Sequence, residues 1–260
     1  MRFKSILLIL PFILTACAGK KTPLALSIIQ PTDAPAGRGV VELVEKLGDG
    51  RPAGPITLYQ AVIAQGVPLK VAKKAFEKYD EHSDVVRNPT YITMVDFTQH
   101  STHSRFYMVH RTTGRVDQWP VAHGEATDPQ DDGIAKYFSN IPDSHMSSLG
   151  SYLIQEKYVS SKFGESLRLD GLESSNSNVR DRAIVLHPSH YVVDGRTKQG
   201  RSWGCPAIPY ANIQTVIARA QDGSFMYVYG VNQRSTAMDA QILARWNLIP
   251  KALWTDESEY

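Results

Sequence analysis

The sequence is short of thiols, of long apolar runs and of excess charge. It has two cysteines, and one of them, Cys17, lies in the N-terminal segment, so no pair remains for an internal disulfide or a cysteine-based metal site. The histidines lack the spacing of common metal-ligand sets, so we predict neither a metal nor a cofactor. The 28 basic and 26 acidic side chains nearly balance, and we therefore expect no nucleic-acid partner.

The N-terminus has the pattern of an export signal. A basic start is followed by an apolar run over residues 6–14, which is too short for a spanning helix of ~20 residues. The next residues, Leu14-Thr15-Ala16-Cys17, resemble the lipobox of bacterial lipoproteins, in which the cysteine is acylated and becomes the mature N-terminus. The alternative is an ordinary secretory signal with a cysteine there by chance.

This resemblance predicts where the protein is found. We expect residues 1–16 to be a lipoprotein signal peptide and Cys17 to carry lipid, so that the chain is anchored to a membrane and faces the periplasm. Ala18 after the cysteine, where an Asp would retain the protein at the inner membrane, resembles sorting to the outer membrane.

The rest of the chain divides into four parts. Residues 17–55 are rich in Pro, Gly and Ala, as expected of a tether, and contain one short amphipathic helix around 40–47. Residues 56–88 predict a helical segment of two helices, separated near Gly66 and Pro68. Residues 89–231 form the main domain, and residues 232–260 form a tail with a candidate helix at 236–246.

The main domain is predicted to be mostly β, because its apolar residues alternate with a period of two. One amphipathic helix begins near Pro209 and ends before Gly223. The fold class is therefore mainly β with attached helices (α+β). The predicted strands are residues 91–97, 106–110, 115–121, 150–156, 167–169, 183–187 and 225–229.

One cysteine and one histidine carry the chemical signal. Cys205 lies in the stretch Gly200-Arg201-Ser202-Trp203-Gly204-Cys205-Pro206, and His187 lies 18 positions before it, at the end of an apolar run. A thiol has a pKa of about 8.5, so a nearby imidazole is needed to take its proton at neutral pH. Gly204 leaves room for a substrate carbonyl, and backbone N–H groups beside it could stabilise an oxyanion. The pair predicts acyl transfer through a thioester, and the alternative is a small buried cysteine without a reactive role.

These residues resemble the signature of the YkuD-type L,D-transpeptidases: His, roughly 14 to 17 residues, Ser or Thr, His or Asn, Gly, Cys. Trp203 before the Gly resembles the branch described as murein L,D-transpeptidase catalytic domain proteins. The resemblance covers residues 90–230 and implies a YkuD-like catalytic β-sandwich or barrel. Further pieces agree with this branch: residues 121–124 (Val-Ala-His-Gly), 138–145, 147–152 and 167–172.

The resemblance also implies a reaction. Cys205 would attack the carbonyl of the third residue of a peptidoglycan stem tetrapeptide and release D-Ala, while His187, oriented by the backbone carbonyl of Pro188, would move the protons. Ser202 would position the nucleophile loop or donate to the substrate. We expect a monomer whose partners are stem peptides and, through the lipid, a membrane. The alternatives are an L,D-carboxypeptidase that uses the same thioester and a wall-binding lipoprotein that does not turn its ligand over.

Two departures from the family pattern concern substrate binding. Trp203 replaces a His or Asn, and the Arg that is common two residues after the Cys is absent, since Pro206 and Ala207 follow. Arg201, Arg196 or Arg168 are the candidates to supply that charge. The predicted substrate-binding set is Trp203, Arg201, His123, His145, Gly150 and Arg168.

Overall fold

The computed structural model describes residues 43–46 and 52–233, and these residues fold around one large sheet. The strands are β1 (Leu43–Lys46), β2 (Pro52–Ile56), β3 (Tyr91–Asp96), β4 (Phe106–His110), β5 (Val116–Trp119), β6 (Gly150–Ser160), β7 (Gly164–Gly171), β8 (Val185–Ser189), β9 (Ala207–Pro209) and β10 (Ser224–Tyr229). The α-helices are α1 (Leu58–Ala64), α2 (Leu69–Glu81) and α3 (Ile213–Ala220). Two short 3-10 helices span Glu125–Thr127 and Tyr210–Asn212.

The large sheet has eight strands in the order β5-β4-β3-β10-β6-β7-β8-β9. Its pairs are antiparallel except β3 with β10 and β8 with β9. Beyond β5 the chain returns to the opposite edge, where Ala122 pairs with Ala207 of β9. The two edges therefore approach each other, and the sheet is a near-barrel. The predicted mainly β fold with attached helices is confirmed.

The central strands are buried on both faces. Along β10, Met226 and Val228 pack into the core that also contains Cys205, while Phe225 and Tyr227 pack into a second core under the helices. This alternation follows from the two-residue period of a strand. Helix α2 closes the second core, and its Tyr79 ring meets Phe225 edge to face at 5.5 Å. The helical pair therefore lies behind the sheet, on the face opposite the cysteine.

The ends of these helices follow from their sequence. Thr57 caps α1, because its hydroxyl accepts the Gln60 N–H at 3.2 Å and the Gln60 side chain accepts the Thr57 N–H at 2.9 Å. Gly66, with a φ of 96°, turns the chain toward α2. Pro68 is the capping residue of α2, at the predicted separation between the two helices.

The structure differs from the predicted elements in three places. The helix predicted around 40–47 is wrong, because residues 43–46 form β1, which pairs antiparallel with β2 inside the predicted tether. The partner strand outweighs the weak helical periodicity of so short a piece. Strands β6 and β7 extend beyond their predicted ranges, and β9 has no predicted counterpart, since three residues show no period. The candidate helix at 236–246 lies outside the described residues, and among these no helix is long and apolar enough to span a membrane.

Candidate active site

The cysteine and the histidine are brought together by two parallel strands. His187 lies in β8, and β9 begins two residues after Cys205, with Ala207 in register with His187. The His187 N–H donates to the Pro206 carbonyl at 3.3 Å. The backbone that carries the thiol is thus tied to the strand that carries the imidazole.

The thiol of Cys205 is nearly buried, with 8% of the residue exposed. Its Sγ accepts the Val185 N–H at 3.4 Å and lies 3.9 Å from the Ala183 carbonyl oxygen. Burial raises the pKa of the thiol, although the Val185 N–H and the charges of Arg182 and Lys162 act in the opposite direction. The resting group is therefore a neutral thiol, which needs a base to become a nucleophile.

His187 has the properties of that base. Its Nδ1 lies 2.9 Å from the Pro188 carbonyl oxygen, where the resemblance places the orienting group. Because a carbonyl only accepts, Nδ1 carries the proton and Nε2 is the acceptor. Nε2 is buried and has no hydrogen-bond partner among the described residues. Burial lowers the pKa of His187 to about 4, so the ring is neutral at pH 7 and able to accept a proton.

Ser202 and Gly204 hold the nucleophile loop in shape. The Ser202 hydroxyl accepts the Gly204 N–H at 3.1 Å and donates to the Cys205 carbonyl at 2.7 Å. Gly204 has a φ of 115°, and a Cβ on it would lie 2.7 Å from the Met146 carbonyl oxygen. Only glycine fits there without strain. Of the two roles predicted for Ser202, the structure displays loop positioning.

A row of ring contacts crosses the site. Trp203, which is 62% exposed, stacks on His145 with centroids 4.7 Å apart. On the other side of the site, Phe163 stacks on His187 with centroids 3.8 Å apart. The ammonium of Lys162 lies 4.7 Å from the Trp203 ring centre and 5.2 Å from that of Phe163. Residues 161–163, which we call the hairpin tip because they connect β6 and β7, therefore cover His187, which is fully buried.

His145 lies beside Trp203, whereas His123 is buried behind the loop that carries Cys205. His145 is fixed against Trp203 by Glu125, whose Oε1 lies 2.8 Å from its Nδ1. His123 is 1% exposed, so the prediction that it contacts substrate needs correction. Its Nδ1 accepts from Arg105 Nη2 at 2.7 Å, and its Nε2 lies 3.5 Å from Asp128 Oδ2.

The buried His123 nevertheless acts on the nucleophile loop through its backbone. Its carbonyl accepts the Ser202 N–H at 2.9 Å, and the next residue, Gly124, forms an isolated bridge with Ser202. Burial, the largest cause, lowers the pKa of His123 to about 4, and the neighbouring charge of Arg105 acts in the same direction. His123 is a positioning residue behind the loop.

The other predicted substrate-binding residues make contacts away from the thiol. Arg201 pairs with Asp131 at 3.1 Å and donates to the Asp128 carbonyl at 2.5 Å. Arg168, on β7, pairs with Glu156 at 3.4 Å. Gly150 begins β6, and a Cβ there would meet the Glu173 carboxylate at 2.7 Å. The third candidate for the missing charge, Arg196, donates to the Tyr191 carbonyl at 3.0 Å.

Sequence reasoning overlooked one cation that shapes the site. Arg182 donates to the carbonyls of Ser139 at 2.7 Å and Met146 at 2.6 Å, and to the hydroxyls of Ser148 at 2.6 Å and Ser144 at 3.1 Å. It holds the 139–148 loop against the nucleophile, and its charge lowers the pKa of Cys205. A single Arg before a strand belongs to no sequence pattern that predicts such a role. The same holds for the hairpin-tip residues, because turn residues carry no periodicity.

No group of three or more His, Cys, Asp or Glu side chains that could hold a metal ion occurs within residues 43–46 and 52–233.

The comparisons with known proteins assign the chain to a family. The model of the family described as L,D-transpeptidase catalytic domain matches residues 63–229, which include both Cys205 and His187. The chain belongs to the L,D-transpeptidase catalytic domain family, which confirms the resemblance found in the sequence.

Solved structures with distant similarity include enzymes of the same description. An L,D-transpeptidase from Mycobacterium smegmatis is 11% identical, with a TM-score of 0.35, and the match covers 54% of this chain and 59% of that one. An L,D-transpeptidase from Mycobacterium tuberculosis H37Rv is 13% identical, with a TM-score of 0.36, and 55% and 58% are covered. The helical cell shape determining protein Pgp2 from Campylobacter jejuni is 14% identical, with a TM-score of 0.36, and 58% and 50% are covered. The chain thus spans less than two thirds of each, and no curated protein matches it.

Proposed function

We propose that the protein is a cysteine-dependent L,D-transpeptidase that acts on peptidoglycan stem tetrapeptides. It takes the acyl group of the third stem residue onto Cys205, releases D-Ala, and passes the acyl group to an amine. Family membership supports the reaction class. The observation that carries the proposal is the arrangement of His187: Nδ1 held by the Pro188 carbonyl at 2.9 Å, and Nε2 buried with its lone pair unused by any described residue.

The first half of the reaction forms the thioester. The Cys205 thiol gives its proton to His187 Nε2 as sulfur bonds to the substrate carbonyl carbon, and the carbonyl oxygen becomes an oxyanion. The Gly204 N–H already donates a hydrogen bond to the Ser202 hydroxyl. The Cys205 N–H is therefore the nearest donor for the oxyanion. Collapse of the intermediate breaks the C–N bond, and the imidazolium protonates the departing D-Ala amine.

The second half transfers the acyl group. His187 Nε2 takes a proton from the acceptor amine as its nitrogen attacks the thioester, and the thiolate leaves and regains the proton. The cover that Phe163 places on His187 keeps bulk water from the base. This cover favours transfer to a bound amine over hydrolysis.

The N-terminal segment supports a cellular location for this reaction. We propose that Cys17 is lipidated and anchors the enzyme to a bacterial envelope membrane, facing the periplasm and peptidoglycan. Metabolic labelling with a fatty-acid probe tests this point, since label should be lost in Cys17→Ala and retained in Cys205→Ala. Label retained in Cys17→Ala would contradict the anchor.

Mass spectrometry of purified tetrapeptide muropeptides tests the activity itself. The full-length protein in detergent should give a cross-linked dimer with loss of D-Ala, and Cys205→Ala should give none. Cys17→Ala is the matched control, because it replaces the other cysteine of the sequence and should keep the reaction. Formation of tripeptide without dimer would mean that water and not an amine accepts the acyl group, so that the enzyme is a hydrolase. If the wild-type protein leaves the substrate unchanged, the remaining hypothesis is a protein that only binds stem peptides.

A further inference from the structure

We propose that Lys162, in the hairpin tip, binds the C-terminal carboxylate of the residue that leaves, and so restricts the enzyme to peptides that end one residue after the scissile bond. This inference rests on the proposed function and names a specificity-determining residue for it.

The hairpin tip is a structured part of the site. The Ser160 hydroxyl accepts the N–H groups of Lys162 at 3.2 Å and Phe163 at 3.3 Å, and Gly164, with a φ of 74°, closes the turn. From this support Phe163 stacks on His187 at 3.8 Å. The position of the Lys162 ammonium is thus fixed relative to the catalytic base through one intervening ring.

Lys162 is the cation at this site whose charge is available. Arg201 and Arg168 are paired with Asp131 and Glu156, and Arg182 is used by four oxygen atoms of the 139–148 loop. The ion pairs among the described residues do not include Lys162. Its ammonium lies instead over the rings of Phe163 and Trp203, and such contacts are weak at exposed sites. A carboxylate forms a stronger, charge-assisted hydrogen bond and would displace such contacts.

Peptide geometry places the substrate carboxylate beside this ammonium. The scissile carbonyl carbon and the carboxylate carbon are separated by the leaving nitrogen and one Cα, so they lie at most about 4 Å apart. His187 has to reach the leaving nitrogen to protonate it. The carboxylate therefore lies within a few ångströms of His187, and Lys162, next to the Phe163 that stacks on His187, is the cation that we assign to it. In agreement, the charge of Lys162 lowers the pKa of both His187 and Cys205.

The test compares two acyl donors: a muropeptide tetrapeptide with a C-terminal D-Ala carboxylate and the same peptide with a C-terminal D-alaninamide. The full-length wild-type protein should prefer the carboxylate by at least about tenfold in kcat/KM. Lys162→Met should bring the ratio of the two values toward one, and Lys162→Arg should restore the preference. Lys157→Met is the matched control, since Lys157 is on the same hairpin but its ammonium is held by Glu165 at 2.7 Å, and it should keep the wild-type ratio.

The outcomes separate this inference from the function beneath it. Equal use of both donors by the wild type would overturn the role of Lys162 and leave the transpeptidase standing. So would a Lys162→Met protein that keeps the wild-type preference. If the wild type uses neither donor, the proposed function falls and the role of Lys162 falls with it.

Discussion

Replacing the buried His123 with Asn should remove a defined part of the loss of stability in acid. The substitution keeps an oxygen near the place of Nδ1, so the acceptor for Arg105 Nη2, now at 2.7 Å, is retained. It removes the ring nitrogens and with them the titration. The variant therefore separates the protonation of His123 from the structural role of its backbone.

The magnitude follows from the pKa of His123 in the two states. Burial lowers it to about 4 in the folded protein, from an ordinary value of 6.5. Between these values the unfolded chain binds the proton and the folded chain does not, so the stability that His123 contributes above pH 6.5 is lost as the pH falls toward 4. Between pH 7 and 4.5 this loss is about 2 kcal/mol. His187, whose pKa is also lowered to about 4, adds a loss of the same sign.

Urea unfolding at pH 7 and at pH 4.5 measures this difference. The wild type should lose about 2 kcal/mol more unfolding free energy between the two conditions than His123→Asn, because the variant lacks the contribution of His123 and keeps those of His187 and of the carboxylates with lowered pKa values. Cys205→Ala is the control: burial raises the pKa of this thiol, so it stays protonated throughout this pH range and the slope should match the wild type. Equal losses in His123→Asn and the wild type would refute the burial of a neutral imidazole at this position.

Two further substitutions test the loop and its cover. Gly204→Ala should cost at least about 2 kcal/mol of unfolding free energy and abolish thioester formation, because its φ is 115° and the added Cβ would lie 2.7 Å from the Met146 carbonyl oxygen; a variant as stable as the wild type in urea would contradict this backbone. Phe163→Ala should expose His187 and raise its pKa from about 4 toward 6.5 in an NMR titration, while Phe163→Tyr should keep it low. A pKa that stays near 4 in the Ala variant would show that the hairpin tip does not shield the ring.

The elements that could be predicted are those with their own period. Strands β10 and β4 are visible in the sequence as short apolar runs, because each strand is buried on both faces by large side chains. Strand β9 is different, since its three residues are a strand only through their pairing with β8 and with Ala122. Likewise β1 depends on β2, so the local pattern around residue 43 indicated a helix.

In the site, the residues that could be predicted are those that lie near each other along the chain or in a fixed motif. Cys205, His187 and the carbonyl of Pro188 belong to that group. His123 appeared to be a ligand-binding histidine, because nothing local reveals that Arg105, 18 positions earlier, is buried beside it. Arg182 escaped notice for the same reason, since its oxygen partners are spread over a loop about 40 residues upstream.

The three parts of the proposed catalytic site lie on different kinds of structure. The base is on β8, fixed by pairing on both sides, and the thiol is on a loop held by Ser202. The cover is on a hairpin tip, where the β6–β7 ladder ends. Phe163 stacks on His187, which is fully buried, so a substrate has to displace this stack to reach the imidazole. If Lys162 binds the substrate carboxylate as proposed, the cover of His187 and the group that recognises the stem peptide lie on the same three residues, 161–163.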